Sequence, residues 1–406
     1  MSNSKRLPQW RKNLYALWVG NFITGAGASM SLPFLPLFIS EMGHFPKWEL
    51  TLFAGAAFSV TFLSQAIVSP LWGRLADRTG RKPMLMRAAI GMTITATLTG
   101  ASPNVWILIL LRLIQGAFSG YINNAYALMA SEVPVNKSGR TMGTLTTGNV
   151  SGQLIGPIIG GYIAGIFGYR IPFYLFGGMM AIAALTTFFF VKEEFTPITN
   201  QKLAKQSAFA GIKHVRIVWA MIISSMLIQA ATTSINPIIS LFVKELMHQH
   251  GNIAMASGVI AALPGIATLL AAPKLGALGD QIGPRRVLIF GLIFCAAMFV
   301  PMFFVTTVIA LGVFRFLVGI SDAALLPITQ TVMTLATPSE AISRIFSYNQ
   351  SAQAIGSVVG PMLASIVAGV LDYRYVFLMT TGLVIINLIV VVWAYHKDYQ
   401  EPDQAE

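Results

Sequence analysis

Charge is what this 406-residue chain has least of: only 10% of its residues are Asp, Glu, Lys or Arg, where a soluble domain carries about 25%. So little charge cannot cover a chain of this length with a solvated surface. Acid is scarcer than base, 15 Asp and Glu against 27 Lys and Arg, which leaves a formal net charge of +12. The single cysteine, Cys295, excludes an internal disulfide and a cysteine-based metal site. No Gly-Lys dipeptide occurs, which excludes a phosphate-binding P-loop of the usual form, so any uphill work is not driven by the chain's own ATP hydrolysis. The five histidines, His44, His214, His248, His250 and His396, fall in loops or at the ends of apolar runs. A cleavable signal peptide is not expected, because the first apolar run is too long and carries Asn21, Pro33 and Pro36.

What is present is apolar: 55% of the residues are hydrophobic, with 26 Phe and 19 Met. About 20 such residues cross the roughly 30 Å of bilayer hydrocarbon. The apolar runs resolve into twelve expected spans, near 14–40, 48–72, 84–101, 106–130, 141–166, 171–191, 216–243, 253–274, 287–305, 308–333, 342–368 and 374–396. The chain therefore reads as an all-α integral membrane protein whose partner is the lipid bilayer, without room for a large extramembrane catalytic domain. The basic residues fall on alternate loops: Lys5, Arg6, Arg11 and Lys12 before the first span, Arg74 to Arg87 after the second, Lys137 and Arg140 after the fourth, then Lys192 to Arg216 at the centre. Cytoplasmic loops retain Lys and Arg, so both termini are expected inside the cell membrane. The net charge is a topology signal and not a nucleic-acid surface.

The chain also repeats itself. Pro33 with Leu37-Phe38 recurs as Pro237 with Leu241-Phe242; Gly73-x-Leu75-x-Asp77 recurs as Gly276-x-Leu278-x-Asp280; Arg112 and Gly116 recur as Arg315 and Gly319; Gly156-Pro157 recurs as Gly360-Pro361. The offset stays at 203 or 204 residues and the order is kept. The repeat predicts two parallel, pseudo-symmetric six-helix bundles, residues 1–191 and 216–406, joined by a cytoplasmic linker at 192–215. Transporters of the major facilitator kind are built this way, with substrate held near mid-membrane between the halves.

Three motifs carry further information. The run Gly73-Arg74-Leu75-Ala76-Asp77-Arg78-Thr79-Gly80-Arg81-Lys82 resembles the cytoplasmic loop signature of the major facilitator superfamily. The resemblance implies a gate latch made by Gly73, Asp77, Arg78, Gly80 and Arg81, with Asp77 facing helix N-termini or basic residues across the domain interface. Asp280 is its weaker repeat mate. Gly148, Gly152, Gly156 and Gly160, with Pro157, recur every four residues and so share one helix face. They resemble the glycine motif of the superfamily's antiporter branches, and equally describe a close packing seam. Arg112 resembles the fourth-span arginine linked to proton transfer, and Arg315 is its mate. A guanidinium stays charged, so its use is electrostatic, either to stabilise a neighbouring carboxylate or to bind an anionic group.

Subtracting the repeat isolates one residue. The other carboxylates lie in loops, span ends or tails; only Asp322 lies in the interior of a span, and its mate is Ser119, so the shared scaffold does not require an acid there. Asp322 stands two turns, about 10.5 Å, beyond Arg315, which is too far for contact within one helix. Any direct ion partner is therefore expected from another span. Low dielectric favours the protonated acid and a nearby guanidinium the ionised one, so Asp322, with Arg112 and Arg315, is the expected proton-coupling site. Asn21, Gln115, Ser119, Asn123, Tyr126, Gln229 and Asn236 are the expected polar residues of a substrate cavity.

Taken together with Pro33-Phe34-Leu35-Pro36-Leu37 and Arg344-Ile345-Phe346-Ser347-Tyr348-Asn349-Gln350, these segments are similar to the twelve-span drug:proton antiporter family, in its MdtG/PmrA-type multidrug efflux branch. The resemblance implies export of amphipathic drugs, fluoroquinolone-type or fosfomycin-type among them, in exchange for protons. It implies no cofactor beyond the proton, no metal, and a monomer. A metabolite exporter or a proton symporter of the same fold is the rival reading. A membrane-embedded enzyme or receptor is remote, since the spans hold no catalytic constellation.

Overall fold

The computed structural model describes residues 8–134, 137–195, 215–338 and 341–398. Most of the expected 192–215 linker lies outside them. The described residues form α1 (Gln9–Ser31), a 3-10 turn (Leu32–Phe34), α2 (Leu35–Glu41), α3 (Lys47–Thr79), α4 (Arg81–Ala101), α5 (Val105–Phe118), α6 (Tyr121–Glu132), α7 (Ser138–Phe167), α8 (Ile171–Phe190), α9 (Val215–Ser234), α10 (Ile239–Leu246), α11 (Ile253–Ile282), α12 (Pro284–Met302), α13 (Val308–Ala336), α14 (Ile342–Val370) and α15 (Tyr373–Asp398). Eleven stretches among these are long and apolar enough to cross a membrane. The remaining span is α4, 21 residues long, whose first two turns hold Arg81, Lys82 and Arg87 and dilute its hydropathy.

Three spans are broken. The first changes from α1 to α2 through the 3-10 turn at Leu32–Phe34, and the seventh changes from α9 to α10 just after Ser234. Pro33 and Pro237 occupy these breaks; each lacks an N–H and clashes with the preceding turn. Serine hydroxyls add hydrogen bonds to carbonyls of the turn before each break: Ser31 Oγ donates to the Gly27 and Ala28 oxygens at 3.1 and 3.2 Å, and Ser234 Oγ donates to Ala231 O at 2.7 Å. The fourth span is broken at Gly120, whose φ of +111° a residue with a Cβ rarely adopts. Its repeat mate, the tenth span, is the unbroken α13. The second span runs on through Thr79, so Gly73, Asp77 and Arg78 occupy helical turns and Gly80, at φ +95°, forms the turn between α3 and α4.

The helices pair alike in the two halves: α1 with α7 and α8, α9 with α14 and α15, α4 with α8, α12 with α15. The four-residue glycine face makes the α1–α7 seam. A Cβ on Gly148 would stand 2.7 Å from Trp18 O; one on Gly152 would run into Phe22 O, on Gly156 into Ser29 Oγ and on Gly160 into Met30 O. In the second half Gly356 meets Met226 O and Gly360 meets Ala230 O in the same way. Contacts cluster into two compact units, Met1–Gly43 with Leu63–Lys202, and His44–Phe62 with Leu203–Glu406. The first half of α3 belongs to the second unit, where Ser59 Oγ donates to Val358 O at 2.8 Å and Lys47 pairs with Asp372 at 2.7 Å.

The seam generates a paired prediction. Gly152→Val forces α1 and α7 apart and is expected to destabilise by about 1–3 kcal/mol, the cost of overpacking. Gly143→Ala lies on the same helix with open space at its Cβ position, and is expected to be neutral or to stabilise by up to about 1 kcal/mol. Thermal unfolding of the purified variants in detergent checks both, and equal melting temperatures for the two would contradict the seam.

Candidate functional site

The second unit contains the cleft in which Asp322 lies. α13 contributes Arg315, Val318, Asp322 and Leu325; α9 contributes Leu227, Ile228, Ala231 and Thr232; α12 contributes Leu292, Cys295 and Phe299; α15 contributes Val384 and Asn387. Seven residues is two helical turns, so Arg315 and Asp322 stand one above the other on the same face. Arg315 is buried and its Nε has no hydrogen-bond partner. Asn387 is buried too, its amide reaching Ser224 O at 3.5 Å while its Oδ1 is unpartnered. Among the described residues Asp322 makes no ion pair, so the direct partner sought on another span is not found. The carboxylate and the guanidinium thus share the cleft without forming an ion pair.

Sequence reading anticipated Asp322 and Arg315, but not Asn387. The signal for Asn387 was faint, a single amide in an apolar run with nothing to mark which face it occupied. Gln229 and Asn236, expected beside Asp322, do not line this cleft. Gln229 packs its Cβ 3.2 Å from the Gly356 Cβ position, and Asn236 stands in the α9–α10 break, its N–H on Thr233 O at 3.2 Å.

In the first unit Arg112 is buried and donates from Nη1 to Gln115 Oε1 at 2.6 Å, so two expected site residues occupy one another. Asn21 is fully buried and neither side-chain atom has a hydrogen-bond partner, which marks it as a polar group awaiting one. Ser119 closes α5, its Oγ on Gly116 O at 2.7 Å. Tyr126 donates to Thr146 Oγ1 at 2.9 Å and ties α6 to α7. Asn123 faces a separate polar cleft beside Ser119 and Arg87.

The signature motif is organised by residues outside it. Asp77 pairs with Arg81 of its own motif at 2.8 Å. The N-terminus of α4 is capped by Glu193, whose two oxygens accept the Arg81 and Lys82 backbone N–H groups at 2.7 Å each. A carboxylate there complements both the open N–H groups and the helix dipole. Beside it the buried Asn13 donates to Glu132 Oε2 at 2.6 Å and to Lys192 O at 2.7 Å, and accepts Lys192 N–H at 3.0 Å. Glu193 and Asn13 were not anticipated, since their partners lie more than a hundred residues away. Asp280 falls in the last turn of α11, and its side chain lies outside the described residues.

Two matches to one family profile, described as "Major Facilitator Superfamily", cover residues 17–256 and 221–406. The "Multidrug resistance protein MdtG" of Proteus mirabilis (strain HI4320) is 45% identical over 390 residues, 96% of this chain and 97% of that protein. The protein of the same name from Klebsiella pneumoniae (strain 342) is 42% identical over 407 residues, 100% of this chain and 99% of its own. Among solved structures, an inward-facing bacterial homologue of the lysosomal transporter Spinster aligns with a TM-score of 0.78 at 15% identity, covering 99% of this chain and 100% of that one. The nucleoside transporter NupG aligns at 0.76 with 16% identity, covering 94% and 99%. At such identities these two speak for the fold alone.

The Glu193 cap yields a direct prediction. Glu193→Ala leaves the first N–H groups of α4 without their acceptor and is expected to cost about 1–2 kcal/mol. Glu193→Gln, which keeps an acceptor but not the charge, should cost less. Melting temperatures of both variants decide, and an unshifted Glu193→Ala would show that the cap contributes nothing.

Proposed function

Because this chain belongs to the Major Facilitator Superfamily, and is a multi-pass membrane transporter rather than an enzyme, we propose that it is a multidrug efflux transporter that exchanges amphipathic drugs for protons by alternating access. The name carried by the relatives, multidrug resistance protein, supports the drug-export part of this reading. The observation that carries the proton part is Asp322, an acid in the interior of a span that shares a cleft with Arg315 and makes no ion pair among the described residues. Its protonation from one side and release to the other is the coupling step, and Arg315 favours release by stabilising the anion.

In this reading the protein works as a monomer in the cell membrane with both termini in the cytoplasm. The proton is its coupling ion and no cofactor takes part. The Gly73–Lys82 motif latches the cytoplasmic gate through Asp77 and Arg81, and the Gly148–Gly160 face belongs to the antiport machinery as well as to the α1–α7 seam. Arg112 and Arg315, with one titratable acid, suit neutral, zwitterionic or anionic drugs better than dications. Fluoroquinolone-type and fosfomycin-type compounds are the substrate classes to test.

Asp322→Asn is expected to insert and fold, yet to lose drug flux driven by an imposed pH gradient in proteoliposomes. Gradient-driven flux retained in that variant would overturn the coupling assignment. One intramembrane acid further implies one proton per cycle. Reversal-potential measurements should give a ratio near one, and a ratio near two would contradict the single-acid mechanism.

A further inference from the structure

The break in the fourth span is not repeated in the tenth, and what stabilises it is likewise confined to the first half. Breaking α5 from α6 frees backbone carbonyls at Ala117 and Ser119. Trp72 Nε1 donates to Ala117 O at 2.8 Å, and Arg87 Nη2 donates to Ser119 O at 2.9 Å. The Arg87 guanidinium lies over the Trp72 ring, 3.9 Å from its centroid. At offset 203 the mates of Trp72, Arg87 and Gly120 are Leu275, Phe290 and Ala323, so the shared scaffold requires none of the three.

Arg87 does more than cap a carbonyl. Its Nε and Nη1 are buried and have no hydrogen-bond partner, which is costly for a charged donor. Arg87 lines a polar cleft of about 120 Å³ together with Gln65, Ser69, Arg81, Asn123 and Asn124, with two guanidinium groups and no carboxylate among the lining residues. Arg87 also begins a second, apolar groove of about 390 Å³ that runs between α4 and α5, past Ile90, Ile94 and Leu98 on one side and Leu111 and Ile114 on the other. Ile90, Ile94 and Leu98 are 47%, 53% and 47% exposed, so the groove opens along the flank of the helices. From Arg87 to Leu98 it extends about 16 Å along α4, close to the depth of one bilayer leaflet, about 15 Å.

A basic, hydrogen-bonding cleft joined through one arginine to an apolar groove of leaflet depth matches an amphiphile with an anionic head and an acyl tail. We infer that this site binds an anionic phospholipid of the cytoplasmic leaflet. Arg87, beside the Asp77-paired Arg81, takes the headgroup phosphate, and an acyl chain lies in the α4–α5 groove. A planar guanidinium held by Ser119 O and stacked on Trp72 is already oriented for phosphate oxygens. Asp77 pairs with Arg81, whereas Arg87 makes no ion pair among the described residues, and this excess of positive charge selects an anionic head over a zwitterionic one. Occupancy couples the lipid to the break in the fourth span, since the same guanidinium holds both.

Native mass spectrometry of the full-length protein in uncharged detergent tests this with phosphatidylglycerol, phosphatidylcholine of the same acyl chains, and inorganic phosphate alone. The wild type is expected to retain one phosphatidylglycerol about fivefold more tightly than phosphatidylcholine, the ratio one basic residue confers at a membrane surface, and to retain no phosphate. Arg87→Gln should abolish the preference between the two lipids. Ile94→Trp, a substitution at an exposed position that fills the groove, should weaken both lipids and leave the protein folded. Phosphate binding as tight as phosphatidylglycerol would make this an anion site without a lipid. Undiminished preference in Arg87→Gln, or unchanged lipid affinity in Ile94→Trp, would overturn the proposal. Should Arg87→Gln not fold, the outcome with Ile94→Trp decides alone.

Discussion

Within hydrocarbon every backbone N–H and C=O has to find its partner inside the protein, and the features of this chain that matter for function are the places where a helix forgoes that rule and something else restores it. Pro33 and Pro237 break the first and seventh spans at matching positions, with the Ser31 and Ser234 hydroxyls bonded to carbonyls of the preceding turn. Gly120 breaks the fourth, and Trp72 and Arg87 reach across from neighbouring helices to satisfy it. The break at Gly120 thus ties the fourth span to its neighbours by directional bonds, in a solvent where apolar packing alone discriminates little between partners.

The same scarcity of polar groups concentrates chemistry. In water a lone aspartate between apolar helices would be one acid among many. Here Asp322 shares its cleft with Arg315, Thr232 and Asn387, and each of these is a rare polar group inside a span. Close approach of helices has a complementary origin. The glycine faces of α7 and α14 let the backbones of α1 and α9 come within the space a side chain would occupy, and the first and seventh spans so approached are two of the three broken ones.

Much of this was legible along the chain, for a physical reason. Span length, loop charge and the repeat are local or periodic properties, so hydropathy and self-comparison recover them directly. Asp322 emerged because an acid in a span is conspicuous against its own repeat mate. Arg87 would have emerged by the same subtraction, with Phe290 as its mate, but its place near the start of α4 made it look like one more cytoplasmic cation. The motif at Gly73–Lys82 was visible, while its organiser Glu193, 112 residues beyond Arg81, carried no local mark.

The sequence by itself determined which segments lie in the membrane and that the chain is duplicated, because burial in lipid demands long apolar runs whatever the tertiary contacts. It determined as well that a single acid lies among them. Only the tertiary structure decided that the fourth span breaks while the tenth does not, that Asn387 and not Gln229 faces Asp322, and that Glu193 caps α4. Those outcomes depend on which helix faces meet, and contacts between residues a hundred or more positions apart are settled by three-dimensional packing rather than by any property of the neighbouring chain.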